Sequence, residues 1–175
     1  MACRDKEIAG RGIGMTIHCI LNGEDITIHS EANVRLIEIL RVNFGLMGAK
    51  SGCLAGKCGA CTVLFNGNVI HACLIPVFRL HGSEIITIEG FSQTLEYQDI
   101  VTGFAQAHLE ECGYCRASKI LNAGALLDRI KRPSRQEILQ AFSGIKCRCN
   151  DPEKLVESIE LTVELRQRRL YGRSS

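Results

Sequence analysis

The spacing of the cysteines restricts the folds open to this chain more than any other feature. Eight of the ten cysteines form two groups of four, one in each half of the 175 residues. The first group has the spacing C-x4-C-x2-C-x11-C, which is that of plant-type [2Fe-2S] ferredoxins, and comprises Cys53, Cys58, Cys61 and Cys73. A core of two irons needs four thiolates, two on each iron. The spacing therefore predicts one [2Fe-2S] site.

Glycines surround the first group, at Gly48, Gly52, Gly56 and Gly59. They allow tight turns around bridging sulfides, and they let backbone N–H groups approach the sulfurs and stabilise a reduced cluster. A zinc site with four cysteines is the alternative, but a long glycine-rich loop with one distant cysteine fits zinc ribbons poorly. The first group thus indicates iron.

The second group is ambiguous on its residues alone. Cys112 and Cys115 form a CxxC element between two predicted helices, and Cys147 and Cys149 form CxC before another. A zinc site, a redox disulfide and an iron-sulfur cluster all use CxxC. Helix ends suit any of these sites, since their N–H groups favour negative charge.

The first half of the chain has the pattern of a small sheet crossed by a helix. Alternating apolar residues predict a hairpin over residues 15–29, turning at Asn22-Gly23, and a second over 62–73, turning at Asn66-Gly67-Asn68. A further strand is expected over 84–88. A helical period over 34–42 predicts a short helix that stops near Gly45.

The second half is predicted to be helical from Glu96 onward. Apolar periods indicate helices over 100–109 and 120–130. Ser134 with Glu137 gives a capping-box pattern for a third helix, and Asp151-Pro152 starts a fourth. The expected class is α+β, with a domain over 14–91 followed by a four-helix bundle over 95–170.

Composition excludes several classes of function. The net charge of +2 is too small for a nucleic-acid-binding footprint, so no nucleic-acid partner is expected. No apolar run is long enough to span a bilayer, and the segment before Met15 does not look like an export signal. A chain without an export signal is expected in a reducing compartment, the cytoplasm, where its ten cysteines would hold metal more often than they form disulfides.

Taken together, the motifs resemble a known family. They are the segment 52–64 (GCLAGKCGACTVL), Cys73-Leu74, Cys112-Gly113-Tyr114-Cys115 and Cys147-Arg148-Cys149. In this order they resemble the iron-sulfur subunits and domains of the xanthine oxidase, or molybdenum hydroxylase, family, over nearly the whole chain. The resemblance implies a ferredoxin-like (β-grasp) domain, a helical domain, and a [2Fe-2S] cluster in each, with all eight cysteines as ligands.

The resemblance also implies partners. A large subunit would bind a molybdenum-pterin cofactor and hydroxylate the substrate, and a medium subunit would bind FAD. This chain would have no catalytic residue of its own, and would pass electrons from molybdenum through the helical-domain cluster, then through the ferredoxin-like cluster, toward FAD. Xanthine or another purine is the substrate we expect.

Two segments beside Cys112 and Cys115 depart from the family pattern. The family has Gln before CGxC and Thr-Pro-Gly after it, with the Gln and the second cysteine, here Cys115, near the pterin. This chain has Glu111 and Arg116-Ala117-Ser118. An ionised Glu111 can only accept hydrogen bonds, so it is either an altered pterin contact or a solvated helix-end acid. Arg116 can reach an anionic cofactor group or a partner carboxylate.

The remaining features of the sequence say less about function. After Cys149 the family has Thr-Gly-Tyr, whereas Asn150-Asp151-Pro152 here still suits a helix start. Cys19 is expected to pack as a small apolar residue, and Cys3 is a terminal thiol without an assigned role. Two other functions stay open: a free-standing iron-sulfur redox or sensing module, and a [2Fe-2S] domain joined to a structural zinc bundle.

Overall fold

The computed structural model describes residues 4–7, 14–109, 111–149 and 151–172, and for 4–7 it gives the backbone alone. Cys3 and Asn150 lie outside the described residues. Within them, the first half of the chain builds a mixed sheet, and the second half is helical.

Over the described residues the sheet has six strands, in the order β1-β3-β2-β6-β4-β5. Their bounds are Arg4–Glu7 (β1), Met15–Leu21 (β2), Glu24–Ser30 (β3), Thr62–Phe65 (β4), Asn68–His71 (β5) and Glu84–Ile86 (β6). Strands β2 and β3 pair antiparallel, as do β4 and β5, so both predicted hairpins are confirmed. Each turns through an Asn-Gly pair in which both residues have positive φ.

Three details of the sheet differ from the prediction. Strand β1, which pairs parallel with β3, was not predicted, because its sequence is entirely charged and has no apolar alternation. Strand β6 ends at Ile86, because Thr87 is already the N-cap of a short helix. Cys73 lies in the 3-10 turn Ala72–Leu74 instead of in a strand.

A short helix covers one face of the sheet, as predicted. It comprises α1, Leu36–Glu38, and a π-helical turn, Ile39–Asn43. It starts later than expected because the Val34 carbonyl accepts the Val77 N–H at 2.8 Å, which holds this segment extended. Its apolar residues share a core with the inner face of β2, β3 and β4. The chain then leaves toward the first cysteine group.

In the part of the second half that the structure describes, there are one short helix and four longer ones: α2 (Ile88–Phe91), α3 (Leu95–Gln106), α4 (Arg116–Arg129), α5 (Arg135–Phe142) and α6 (Pro152–Tyr171). The capping box of α5 is confirmed, with Ser134 and Glu137 bonded in both directions. Asp151 caps α6, and Pro152 opens it. None of the described helices is long and apolar enough to cross a membrane.

The helical half has its own core. Helix α4 is the most buried element of this core, and the residues of α4 pack with those of α3, α5 and α6. Leu64 of β4 and Phe91 of α2 also belong to this core, so it is not made by the four longer helices alone. The four-helix bundle and the division into 14–91 and 95–170 therefore stay predictions.

Replacing Ser134 by alanine is expected to lower the free energy of unfolding by about 1 kcal/mol, because the Glu137 N–H at the start of α5 loses its acceptor. Urea unfolding followed by circular dichroism measures this. Ser143→Ala is the matched control, since that exposed hydroxyl only donates to the Gln140 carbonyl at the end of α5. Equal losses in both variants would show that the cap has no special part.

Candidate iron-sulfur centres

The first cysteine group occupies the loop between α1 and β4 together with the turn after β5. Cys61 precedes β4, and the Ala72 N–H donates to the Cys61 carbonyl at 3.1 Å, which brings Cys73 beside Cys61 at the end of the hairpin. Both side chains are buried in the core under the sheet. Burial, with the nearby Cys73 thiol, raises the pKa of Cys61 to about 12. These two cysteines form the inner pair of the site.

Cys53 and Cys58 form the outer pair. The Cys53 Sγ accepts hydrogen bonds from the N–H groups of Ala55, at 3.4 Å, and Lys57, at 3.1 Å. These backbone donors, with a smaller contribution from Cys58, lower the pKa of Cys53 to about 6. The loop can turn back on its own sulfur because Leu54 and Gly56 both adopt positive φ. Such N–H donors stabilise an electron-rich sulfur ligand.

The second group lies where the start of α4 meets the segment before α6. Cys115 is the N-cap of α4, and its Sγ lies 3.5 Å from the Sγ of Cys147. Cys112 interacts with Cys149, and the N–H groups of Tyr114 and Cys115 lower the pKa of Cys112 to about 7. Burial raises the pKa of Cys115 to about 12. Here too an inner pair and an outer pair stand together.

This pairing suits a two-iron core in both places. In the second site the thiols stand as two pairs, Cys115 with Cys147 and Cys112 with Cys149. One zinc ion needs four thiolates converging on a single point at about 2.3 Å, whereas a [2Fe-2S] core takes two thiolates on each of two irons. The residues present therefore fit [2Fe-2S] clusters, whose binding releases the thiol protons.

Two hydrogen bonds join the two cysteine sites. The Ser118 hydroxyl donates to the Gly59 carbonyl at 2.7 Å, and the Lys146 N–H donates to the Cys58 carbonyl at 3.1 Å. Ser118 lies three residues after Cys115, and Lys146 directly precedes Cys147. The loop around the first site thus rests on the residues that carry the second.

Two glycines permit this close approach. Gly59 has a φ of +75°, and a Cβ on it would lie 2.5 Å from the Gly144 carbonyl oxygen. A Cβ on Gly52 would lie 2.1 Å from the Tyr114 hydroxyl oxygen, which places the ring of the CGYC element against the first loop. Because neither glycine has a side chain, the segments that carry the two sites can pack against each other.

Glu111 is not a solvated acid. Its side chain is 10% exposed, and its Oε2 lies 3.2 Å from the Nε of Arg116. Burial raises the pKa of the Glu111 carboxyl, and Arg116 and Lys119 oppose that rise by their charge. Its other oxygen, Oε1, is buried without a hydrogen-bond partner in the described chain. The structure thus pairs Arg116 with Glu111 and leaves one acceptor of Glu111 open.

Sequence reasoning missed three residues at the site: Ser118, Lys119 and Lys146. Lys119 is 2% exposed and lies one helical turn after Cys115, on the buried stripe of α4 that continues through Asn122 and Leu126. A lysine inside an otherwise buried helical stripe, four residues after a cysteine of the CxxC element, was the available signal. The hydrogen bonds of Ser118 and Lys146 to the first loop have no local sequence pattern that could have predicted them. Cys19, as expected, packs in the core, and burial raises its pKa to about 11.

Two family models match the chain, one over each half. Residues 19–81 match a "2Fe-2S iron-sulfur cluster binding domain", and residues 87–160 match a "[2Fe-2S] binding domain". The second match resolves the ambiguity of the second group toward iron and away from zinc. Fold and sites together define a protein with two [2Fe-2S] clusters.

Proteins of known function narrow this class. The chain is 41% identical to the nicotinate dehydrogenase small FeS subunit of Eubacterium barkeri, over 86% of this chain and 96% of that one. It is 33% identical to the xanthine dehydrogenase iron-sulfur-binding subunit of Escherichia coli O157:H7, over 83% and 92%. The structure of quinoline 2-oxidoreductase from Pseudomonas putida 86 matches with a TM-score of 0.79 and 32% identity, over 88% and 97%. The chain belongs to the iron-sulfur subunits of the molybdenum hydroxylase family, and is a non-catalytic subunit of an oxidoreductase.

Gly59→Ala is expected to destabilise the iron-loaded chain by roughly 3 kcal/mol, because it adds a clash with the Gly144 backbone to the strain of positive φ. Gly67→Ala is the matched control: its φ of +74° is nearly the same, but a Cβ there meets nothing within 4 Å. That variant should lose only about 1 kcal/mol. Anaerobic urea unfolding compares the two, and equal losses would contradict the tight junction between the sites.

Proposed function

We propose that this chain is the electron-transfer subunit of a molybdenum hydroxylase, carrying electrons from a molybdenum-pterin site on a large partner subunit toward FAD on a medium one. The observation that carries the proposal is the direct junction of the two cysteine sites, through the hydrogen bond from Lys146 to Cys58. Each bound [2Fe-2S] cluster supplies a one-electron acceptor. The proposed ligands are Cys53, Cys58, Cys61 and Cys73 for one cluster, and Cys112, Cys115, Cys147 and Cys149 for the other.

The protein's own part is to hold these ligands at a fixed separation. Electron transfer slows steeply with distance, so a path between two partners needs two sites that stay close. The Gly59 carbonyl accepts the hydroxyls of Thr62, at 2.6 Å, and of Ser118, at 2.7 Å, so one backbone group is bonded from both halves of the chain. This supports a rigid relay between the two sites.

Each site also has a face on the surface. Cys53 of the first site and Cys112 and Cys149 of the second are exposed. Leu54 and Leu74 are exposed apolar residues beside the first site, and a Cβ on Gly56 would touch Leu74. Apolar residues around an open cluster edge suit a protein partner. We assign the first edge to the FAD subunit and the second to the molybdenum subunit.

Glu111 and Cys115 are the proposed pterin-side residues. The buried Oε1 of Glu111 has no donor among the described residues, and an acceptor left in this state costs free energy unless a partner supplies an N–H. A pterin has N–H groups of this kind. Cys115 is 4% exposed and is the N-cap of α4.

The substrate we propose for the complex is an aromatic nitrogen heterocycle, with xanthine or another purine as one candidate. The relatives of similar length are named for such compounds: nicotinate, xanthine, nicotine and isoquinoline. The matching aldehyde oxidoreductase of Megalodesulfovibrio gigas is a longer chain, of which this one spans 16%. We propose the cytoplasm as the location, because a reducing compartment keeps thiol ligands available.

Anaerobically purified chain should contain about four irons, two per cluster, and should show two distinguishable signals by electron paramagnetic resonance (EPR) after reduction. Cys61→Ser is expected to remove one signal and Cys149→Ser the other, because each change takes a thiolate from one site only. Cys19→Ser, at a buried cysteine outside both sites, is the control and should keep both signals. Iron near two atoms in the unaltered chain would refute the second cluster.

Co-expression with neighbouring genes should yield a complex that contains molybdenum, FAD and this chain in constant ratio. Leu74→Asp should weaken its association with the FAD subunit at least tenfold, because a charge would enter the apolar rim of the first site. Val42→Asp is the control, since Val42 is also apolar and exposed, but lies on the helical turn after α1. A chain that stays alone in every preparation would favour the sensing module.

A further inference from the structure

Lys119 is a buried cation without a carboxylate partner. The residue is 2% exposed, and no salt bridge to it is found in the described parts of the chain. Its Nζ also lacks a hydrogen bond to any described oxygen or nitrogen. Lysines are rarely buried to this degree unless a negative group compensates the lost hydration. The compensating group must therefore be sought in the second cysteine site.

The surroundings of Lys119 point to the cysteine sulfurs. Lys119 and Cys147 line one cavity of ≈190 Å³, whose other walls are mainly apolar and come from α5 and α6. Burial opposes ionisation of Cys147, but the Cys149 N–H and the Lys119 ammonium lower the pKa of its thiol. The same ammonium acts by charge on Cys115. Lys119 thus faces the inner pair of the second site.

The other charged groups nearby leave this charge largely uncompensated. Glu111 interacts with Lys119 at a distance, but its carboxylate is paired with Arg116. Asp151 lines the same cavity, and its carboxylate accepts the Glu153 N–H as the cap of α6. Glu111 and Asp151 are thus engaged with other groups, whereas the Lys119 side chain acts on the Cys147 sulfur both as a hydrogen-bond donor and by its charge.

We propose that Lys119 sets the reduction potential of the second cluster, making it a stronger electron acceptor than its four thiolates alone would. This inference rests on the proposed function, because it requires iron at that site. Reduction adds one electron and one negative charge to a core that is already anionic. A fixed ammonium behind Cys115 and Cys147, in a medium that screens poorly, stabilises the more negative state. No proton or ligand has to move.

The test is a redox titration of the anaerobically purified full chain, followed by EPR. Lys119→Met keeps the length and the burial of the side chain but removes its charge. At a fixed potential, it should lower the ratio of reduced to oxidised second cluster by about tenfold, which corresponds to ~59 mV for one electron. Lys119→Arg should restore most of that ratio. The signal assigned to the first cluster by Cys61→Ser should not change.

Lys146→Met is the matched control. It removes the same charge beside Cys147, but from an exposed side chain that water screens. Its effect should be clearly smaller than that of Lys119→Met. Equal effects of the two variants, a shift of both signals, or no shift in Lys119→Met would each overturn the inference.

Lys119→Gln serves if Lys119→Met does not fold, since it keeps a polar end without the charge and should give the same shift. Absence of a second EPR signal in the unaltered chain is a different outcome. It would contradict the proposed cluster itself, and with it the proposed function. A second signal whose reduction potential is unchanged in Lys119→Met would leave the proposed function intact and refute only the role of this lysine.

Discussion

The Gly59 carbonyl is the point on which the arrangement of both sites depends. It accepts the Thr62 hydroxyl from the strand that follows and the Ser118 hydroxyl from α4, so the two halves of the chain are bonded to one atom. Gly59 can offer its carbonyl in this way because its positive φ turns the backbone and no Cβ obstructs the Gly144 segment. The position of the first cysteine loop relative to the second follows from this junction.

Each site has buried cysteines on one side and exposed cysteines on the other. Cys61, Cys73 and Cys115 are buried, whereas Cys53, Cys112 and Cys149 are exposed. At two of the exposed cysteines, Cys53 and Cys112, backbone N–H groups donate to the sulfur and lower the pKa of the thiol. The inner sulfurs of the first site lie in the apolar core, those of the second lie beside the buried Lys119, and the outer sulfurs of both have an open side. Such an arrangement suits electrons that enter and leave through protein partners rather than through solvent.

The parts of this fold that the sequence predicts are those decided by local chemistry. Asn22-Gly23 and Asn66-Gly67 define their hairpins because few other pairs tolerate positive φ twice, and Ser134 with Glu137 defines a helix start. Strand β1 could not be predicted, since its four residues are all charged and show no apolar alternation. The bond from Ser118 to Gly59 joins residues 59 positions apart, and no local pattern encodes it. The cysteine spacing predicted the first site, the family resemblance was needed for the second, and neither predicted how the two sites meet.

Two of the departures from the family pattern, Glu111 and Arg116, are related by charge. Glu111 adds a negative group where the pattern has a neutral amide, and Arg116, at the next departure, pairs with it at 3.2 Å. Ser118 takes the place of a glycine, and its hydroxyl bonds the first loop. The charge of Glu111 is thus paired locally by Arg116, whereas Ser118 bonds a distant residue of the first loop, and all four cysteines stay in place. Among the described residues, Lys119 is a further buried charge in this region, and it lies beside the sulfurs of the second site.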